Sequence, residues 1–409
     1  MKIGIFQHGW WREAIAVGGH DPIELPMPDV TAAGPYVADL STRRENGSAM
    51  HAVLTEQPVD VMLDNGGVGL AFLPGTQGPN DLRLVHEAAG VRLFSHFIDP
   101  VTTVMQGLDW PTVWQALKSR MWVKAVWDRA QVRELQRFGV PSVIHLPMAA
   151  PDREYDSDPV DPDTCRPIVS FVGGQNTSFY LRGRSIDPET LLPATMAHAV
   201  RADMPGMDFL EFYHDLYGLA ALPKDGDNLE TQVHKTQTYF CAKLAYNAAL
   251  CIKNRDRFVI FLSRKLGPVF ELIGRGWDTA YGLACAPQIA THDAYFDYLR
   301  HCAINLNLVN GNAETGLNMR HFEITAAGGF MLCRDQGELR ECFDVGSECE
   351  VFGNEAELVE KIEYYLNHPS RRADIAAAGQ RRTLGEHLYS HRLARVMNEV
   401  ARQPVSVAV

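Results

Sequence analysis

No stretch of this 409-residue chain approaches the roughly 18 apolar residues that a membrane-spanning helix needs. The N-terminal MKIGIFQHGWW also lacks the charged, apolar and small-residue regions of a secretory signal, so a soluble, cytoplasmic protein is expected. Basic residues are in deficit. There are 38 Lys and Arg against 50 Asp and Glu, a net charge of −12, whereas a surface that neutralises phosphates carries a basic excess; a nucleic-acid partner is not expected. The eight cysteines, at 165, 241, 251, 285, 302, 333, 342 and 349, form no Cys-x-x-Cys pair and sit in segments such as FMLCRD, which reads as buried reduced thiols. No G-x-x-x-x-G-K-[ST] loop is present, which disfavours a P-loop nucleotidase. DNGGVGLAF at 64–72 lacks the third glycine of a dinucleotide fingerprint and reads as a tight turn at a strand end. No metal is expected either. DPVDPD is a proline-bounded acidic linker, and His387 and His391, four apart, have neither a Glu after the first His nor a third ligand.

What is present is a folded-protein composition, 46% hydrophobic and 22% charged, in a chain longer than one core usually supports. Short apolar runs at Lys2 to Phe6, Val59 to Leu63, Val91 to Ile98, Val123 to Trp127 and Ser142 to Leu146 read as strands. Between them Leu82 to Ala89 and Ala130 to Phe138 read as helices, the latter stopped by Gly139 and Pro141. Apolar strands alternating with helices indicate a parallel sheet covered on both faces. APDREYDSDPVDPDTCRP, between 150 and 167, is an Asp- and Pro-rich linker without periodicity. The pattern restarts at PIVSFVGGQN, passes through a long helical region and resumes with VFELIGRGW, CAINLNLVN, GFMLC and CEVF as strands. Two αβα domains of Rossmann-like character follow, facing a cleft. The expected boundaries are 1–155, 156–385 with a helical insertion at about 186–255, and a last helix at 386–409 crossing back to the first domain.

Each candidate site residue admits two readings. Gly173 and Gly174 end a strand, where glycine lets backbone approach a ligand or simply turn. Arg182 and Arg184 could meet phosphate or face solvent. Gly274 and Trp277 of GRGWD follow another strand; the tryptophan could stack on a base or pack. The richest stretch is NAETGLNMRHFEITAAGG, 312–329: strand end, loop, and a helix starting near Leu317 or Asn318 and closed by Gly328. A helix N-terminus offers free amides to a diphosphate, Arg320 could add a charge, and Glu323, three residues on, could accept ribose hydroxyls. Alternatively Arg320 and Glu323 form a capping and salt-bridge network. In the first domain His8 and Asp99, each following a strand, could act as a base, and Trp10 and Trp11 could form a sugar platform or pack.

From about 289 to 397 the chain resembles the CgeB-type, spore-maturation-like glycosyltransferases of GT-B architecture, through YFDYLRHCAINLNL, GLNMRHFEITAAGGFMLC, the long ELRECFDVGSECEVFGNEAELVEKIEYYLNHPSRRADIAAAGQRR and HLYSHR. HLPMAA, VSFVGG and GRGW are similar to earlier landmarks of that family, while the first domain is similar only loosely. The resemblance implies a metal-independent glycosyltransferase without a cofactor, acting in the interdomain cleft. Its substrates would be a nucleotide sugar and an acceptor such as a glycan, protein or small molecule. By that analogy Glu323 grips ribose, Arg320 meets the diphosphate, Gly173 and Gly174 lie under the phosphates with Arg182 nearby, and Gly274, Trp277 and Asn318 complete the donor site. The catalytic candidates are His8, Asp99 and Glu314. Glu314 and Glu323 are separated by eight residues, where many retaining GT-B enzymes have seven. The competing expectations are a sugar-nucleotide epimerase on the same fold and a non-catalytic binding or coat-associated protein.

Overall fold

The computed structural model describes residues 1–6, 9–28, 40–73, 83–101, 110–175, 188–204, 206–218, 222–224 and 226–402. Packing divides the chain into two units: Met1–Pro147 with Asp187–Leu244 and Tyr389–Val409, and Met148–Ile186 with Ala245–Leu388. Among the described residues no helix is long and apolar enough to cross a membrane.

The first unit is built on a six-stranded parallel sheet of β1 (Lys2–Phe6), β2 (Asp21–Leu25), β3 (Val61–Asn65), β4 (Arg92–Phe97), β5 (Trp122–Val126) and β6 (Val143–His145). Their spatial order is β2-β1-β3-β4-β5-β6. Strands β3, β4 and β5 are buried at every position, as strands covered on both faces must be. The apolar runs at 59, 91, 123 and 142 become these strands with ends shifted by one or two residues. Strand β2 has no counterpart in the sequence reading. Its DPIEL is polar and carries Pro22, a composition tolerated only at a sheet edge, where β2 lies. The helix Arg129–Arg137 starts where Asp128 accepts the Ala130 amide at 2.8 Å and stops before Gly139, whose φ of 65° suits glycine.

The second unit holds a five-stranded parallel sheet of β7 (Arg166–Val172), β8 (Phe270–Ile273), β9 (Cys302–Asn307), β10 (Met331–Arg334) and β11 (Glu350–Phe352), ordered β11-β10-β9-β7-β8. Phe171, Leu306, Leu332 and Phe352 from the strands meet Phe258, Leu262, Leu358 and Ile362 from the covering helices in its core. The chain leaves β7 in one direction to reach β8 and returns past it to β9. The strand order therefore reverses between β7 and β9, and loops beyond the carboxyl ends of such a pair splay apart and leave a crevice.

Expected as a helical insertion of the second domain at 186–255, the helical region does interrupt the sequence between β7 and β8, but Asp187–Leu244 belongs by packing to the first unit. The reason is a set of contacts on the helix Arg129–Arg137. Tyr239 donates to Glu134 Oε1 at 2.5 Å, Lys243 lies 3.1 Å from the same oxygen, Arg133 pairs with Asp208 at 2.6 Å, and Phe138 packs edge-on against Tyr239. The last helix, Tyr389–Arg402, packs on Gly9–Val17: Trp10 stacks on Tyr389 at 5.7 Å, and Arg392 Nε donates to the Pro147 carbonyl at 3.0 Å.

Candidate functional site

The carboxyl ends of β7 and β8 form a paired glycine turn. Gly173 donates to the Ile273 carbonyl at 2.8 Å, and Gln175 donates to the Arg275 carbonyl at 2.8 Å. Gly274 has a φ of 147°, and a Cβ there would lie 2.3 Å from the Gly173 oxygen, so only glycine lets the two backbones meet. Trp277 is fully buried, its indole N–H donating to the Gly173 carbonyl at 2.7 Å. Of the two sequence readings for Trp277 the structure shows packing: the ring props the glycine turn from below.

Over that indole lies a residue the sequence reading passed over. Arg255 is 5% exposed, and its Cζ sits 5.8 Å from the Trp277 ring. It belongs to a π-helical turn, Ile252–Asp256, between the helices Leu229–Cys251 and Arg257–Leu266; such turns recur where a helix is distorted for function. Arg255 Nε is 3.6 Å from Asp256 Oδ1, but Nε and Nη2 donate no hydrogen bond to any acceptor among the described residues. Asp256 is also buried and accepts from Gln175 at 3.0 Å and from Tyr281 at 2.8 Å. Burial, and then the Asp256 hydrogen bond, push the Tyr281 hydroxyl up to about 12, so it remains a donor. Strands β10 and β9 reach the same turn. Arg334 donates to Asn254 at 3.2 Å, and Gly311 donates to Cys251 Sγ at 3.2 Å, with room there for no side chain because a Cβ would fall 1.9 Å from the Asn247 carbonyl. The only sequence signal for Arg255 was a charged KNRDR run interrupting a helical pattern.

The stretch 312–329 lies at the end of β9. Its loop is held by Thr315, which donates to Glu338 at 2.7 Å, and by Gln336, which donates to the Gly316 carbonyl at 3.3 Å; Glu314 is buried within it. The helix runs Met319–Ala326 and ends as expected at Gly328, with a φ of 77°. Asn318 precedes it but does not cap it. Its side chain is held instead by Asn307 at 3.1 Å and by His321 Nδ1 at 2.9 Å. Glu323, 6% exposed, accepts from the Tyr295 hydroxyl at 2.9 Å, and Arg320 is 3.5 Å from the same carboxylate oxygen. Arg320 also donates to the Tyr295 oxygen and lies over the Tyr295 ring at 4.9 Å. Burial pushes the Glu323 carboxyl above its ordinary value, and the charges of Arg320 and His292 oppose that rise. Of the two sequence readings of the pair, the structure shows the network: Arg320 and Glu323 are joined through Tyr295 in the segment that follows β9.

His8 and Arg182 lie outside the described residues, as does Arg184. Asp99 is exposed just beyond β4. Its neighbour His96 is buried, bonded through Nε2 to the Leu146 carbonyl at 3.2 Å and pushed down to about 4 by burial, so the ring is neutral. Trp11 packs, its indole donating to Asn65 at 2.8 Å. The glycines after β3 form the tight turn, with Asp64 accepting from Gly69 at 2.7 Å and from Gly67 at 3.3 Å. His387 Nε2 is 3.0 Å from the Cys342 carbonyl, inside a cluster with Phe322 and Phe343.

Residues 255–398 match a family model described as glycosyl transferase-like. By sequence, no curated protein matches the chain. Among solved structures the chain is similar to sucrose-phosphate synthase from Thermosynechococcus elongatus, at 13% identity over 98% of each chain with a TM-score of 0.50. It is also similar to Anabaena HepE in complex with UDP-glucose, at 10% identity over 98% of this chain and 100% of that one, TM-score 0.49. A third is a UDP-forming α,α-trehalose-phosphate synthase from Burkholderia vietnamiensis, at 11% identity over 98% of each, TM-score 0.48. At 13% identity the likeness to the sucrose-phosphate synthase structure speaks to fold alone, while the sequence match over 255–398 adds the domain type. The chain thus carries a glycosyl transferase-like domain over 255–398 and has two parallel αβ sheets, the fold class of GT-B glycosyltransferase structures.

Proposed function

We propose that this protein moves a glycosyl group from a nucleoside-diphosphate sugar, bound at the carboxyl ends of β7 and β9, to an acceptor hydroxyl. The observation that carries the reading is Arg255. A buried guanidinium with two nitrogens lacking acceptors is costly to fold, and an anion at the glycine turn would satisfy it.

In this reading the diphosphate lies against the Gly173–Gly174 turn and the amides opening the helix Met319–Ala326, with Arg255 supplying the charge. Glu323 accepts hydroxyl hydrogen bonds from the ribose. Transfer forms a bond from the acceptor oxygen to the anomeric carbon as the bond from that carbon to the phosphate oxygen breaks; the electron pair leaves on the diphosphate, where Arg255 and the helix amides stabilise it. These groups perform the role a metal ion would otherwise fill, so the reaction is proposed to be metal-independent. The acceptor's proton passes to a base, for which Asp99 and His8 of the first unit are the candidates, or, in a retaining reaction, stays near the leaving phosphate.

The test is thermal unfolding in the presence of UDP, GDP, ADP, dTDP and CMP conjugates. At 100 times Kd a ligand of the native state adds about 2.7 kcal/mol, so one nucleotide should raise Tm in the wild type and fail to do so in Arg255→Ala. Stabilisation by none of them would overturn the reading.

A further inference from the structure

We propose that Tyr295 is a positioning residue of the donor site, holding the Glu323 carboxylate so that a single oxygen, Oε1, is presented to a ribose hydroxyl. This rests on the donor reading above and adds to it the residue that sets how sharply ribose is recognised.

The geometry is a relay. Arg320 donates to the Tyr295 oxygen, and the Tyr295 hydroxyl spends its one proton on Glu323 Oε2 at 2.9 Å. Arg320 lies 3.5 Å from that same oxygen, so Oε2 is fully engaged, while Oε1 accepts no hydrogen bond from the described residues. A carboxylate has about four lone-pair sites over two oxygens and a free rotation about its last bond. Fixing Oε2 removes that rotation, so the orientation of Oε1 is set before any ligand arrives. Tyr295 is itself held: it lies in the first turn of the helix His292–His301, which Thr291 caps by accepting the Ala294 amide at 3.2 Å, and its ring meets the Arg320 guanidinium at 4.9 Å and Phe296 edge-on at 5.3 Å.

The same relay redefines Arg320. Its charge is committed to Tyr295 and Glu323, whereas Arg255 holds Nε and Nη2 without acceptors among the described residues. Arg320 then acts with Tyr295 to keep Glu323 oriented.

The consequence is chemical specificity for a ribonucleotide. A hydrogen bond from a hydroxyl to an oriented, buried carboxylate is worth about 1.5–3 kcal/mol, a ~10- to 100-fold preference over the nucleotide lacking that hydroxyl. The experiment measures Kd by thermal shift for UDP, GDP and ADP and for their 2′-deoxy and 3′-deoxy forms, in wild type and Tyr295→Phe. Phenylalanine keeps the ring under Arg320 and removes only the hydroxyl. The expected result is a preference for the ribose form in the wild type that falls to about threefold or less in Tyr295→Phe, with binding of the deoxy form unchanged. With the preferred donor sugar, KM should rise while kcat stays within about twofold. An unchanged ribose-to-deoxy ratio overturns the inference, as does an equal loss for both forms, which marks a merely structural residue. A wild type stabilised by none of the three diphosphates or their deoxy forms overturns the donor reading and this inference with it, whereas binding with an unchanged ratio overturns this inference alone.

Discussion

Within the two sheets, buried ionisable groups meet two different environments. Three on or beside the strands of the first unit are driven toward neutrality by burial. Asp64 is pushed up to about 6, His86 down to about 3 and Lys124 down to about 7, in each case chiefly by desolvation, and Lys124 is satisfied by the carbonyls of Ser119 and Trp122 at 2.8 and 2.7 Å. In the second unit Arg255 and Asp256 are buried side by side, and Glu323 sits with Arg320 and Tyr295. Lys124 and Asp64 are neutralised and satisfied by backbone and so belong to a core; a buried ion pair such as Arg255–Asp256 is a poor way to stabilise a fold and asks for another reason. The proposed donor site supplies that reason for Arg255.

The strongest way to break the comparison is to remove the charges of the second unit. Arg255→Ala and Glu323→Ala should each lower sugar transfer by about 10²- to 10³-fold, as losing one preorganised stabilising group does, while the unfolding transition stays within a few degrees. Large destabilisation with turnover retained would make both residues structural. The converse test is Lys124→Met in the first unit. The native lysine titrates near 7 against 10.5 for its ordinary value, so between those limits the unfolded chain holds the extra proton and stability rises with pH, by at most about 1.4 kcal/mol per unit. Below pH 7 both states are protonated and the group adds no slope. Denaturant titrations from pH 7 to 10 should show this rise in the wild type and lose it in Lys124→Met; an unchanged slope would assign it to other groups. Next, Gly274→Ala forces a Cβ toward the Gly173 carbonyl, and overpacking of that kind costs about 1–3 kcal/mol in a urea melt and should weaken nucleotide binding with it. The smallest effect is expected from Asp99→Asn, which should leave the nucleotide-induced Tm shift of the wild type untouched while lowering transfer if Asp99 is the base; a wild-type rate would leave His8.

Much of the fold could be read directly. Of the eleven strands among the described residues, nine, β1, β3 to β5 and β7 to β11, coincide with apolar runs bounded by glycine or polar turns, because a strand covered on both faces must be apolar throughout; β6, only half-buried, was legible from its β-branched residues and the Gly139–Pro141 stop before it. Edge strand β2 was not, since its pairing partner β1 rather than its own composition makes it a strand. Within the site, Gly173, Gly274 and the helix of 319–326 were legible because positive φ angles, close backbone approach and helix closure leave local traces.

By itself the sequence determined the alternation of strands and helices, the deficit of basic charge and the place of 312–329 at a strand end; the segment 150–167, expected as a linker, packs with the second unit, where Arg300 and Gln380 donate to the Asp156 carbonyl. Only the tertiary structure decided that Trp277 is a prop, that Arg320 belongs to Tyr295 and Glu323, that residues 187–244 pack with the first sheet, and that Arg255 holds donors without acceptors. The physical reason is range. Backbone preference and apolar periodicity act over a few residues and are written in order along the chain. The desolvation of a charge and the identity of its partner depend on groups such as Tyr295 and Glu323, which are 28 residues apart, or Trp277 and Gly173, which are 104 apart.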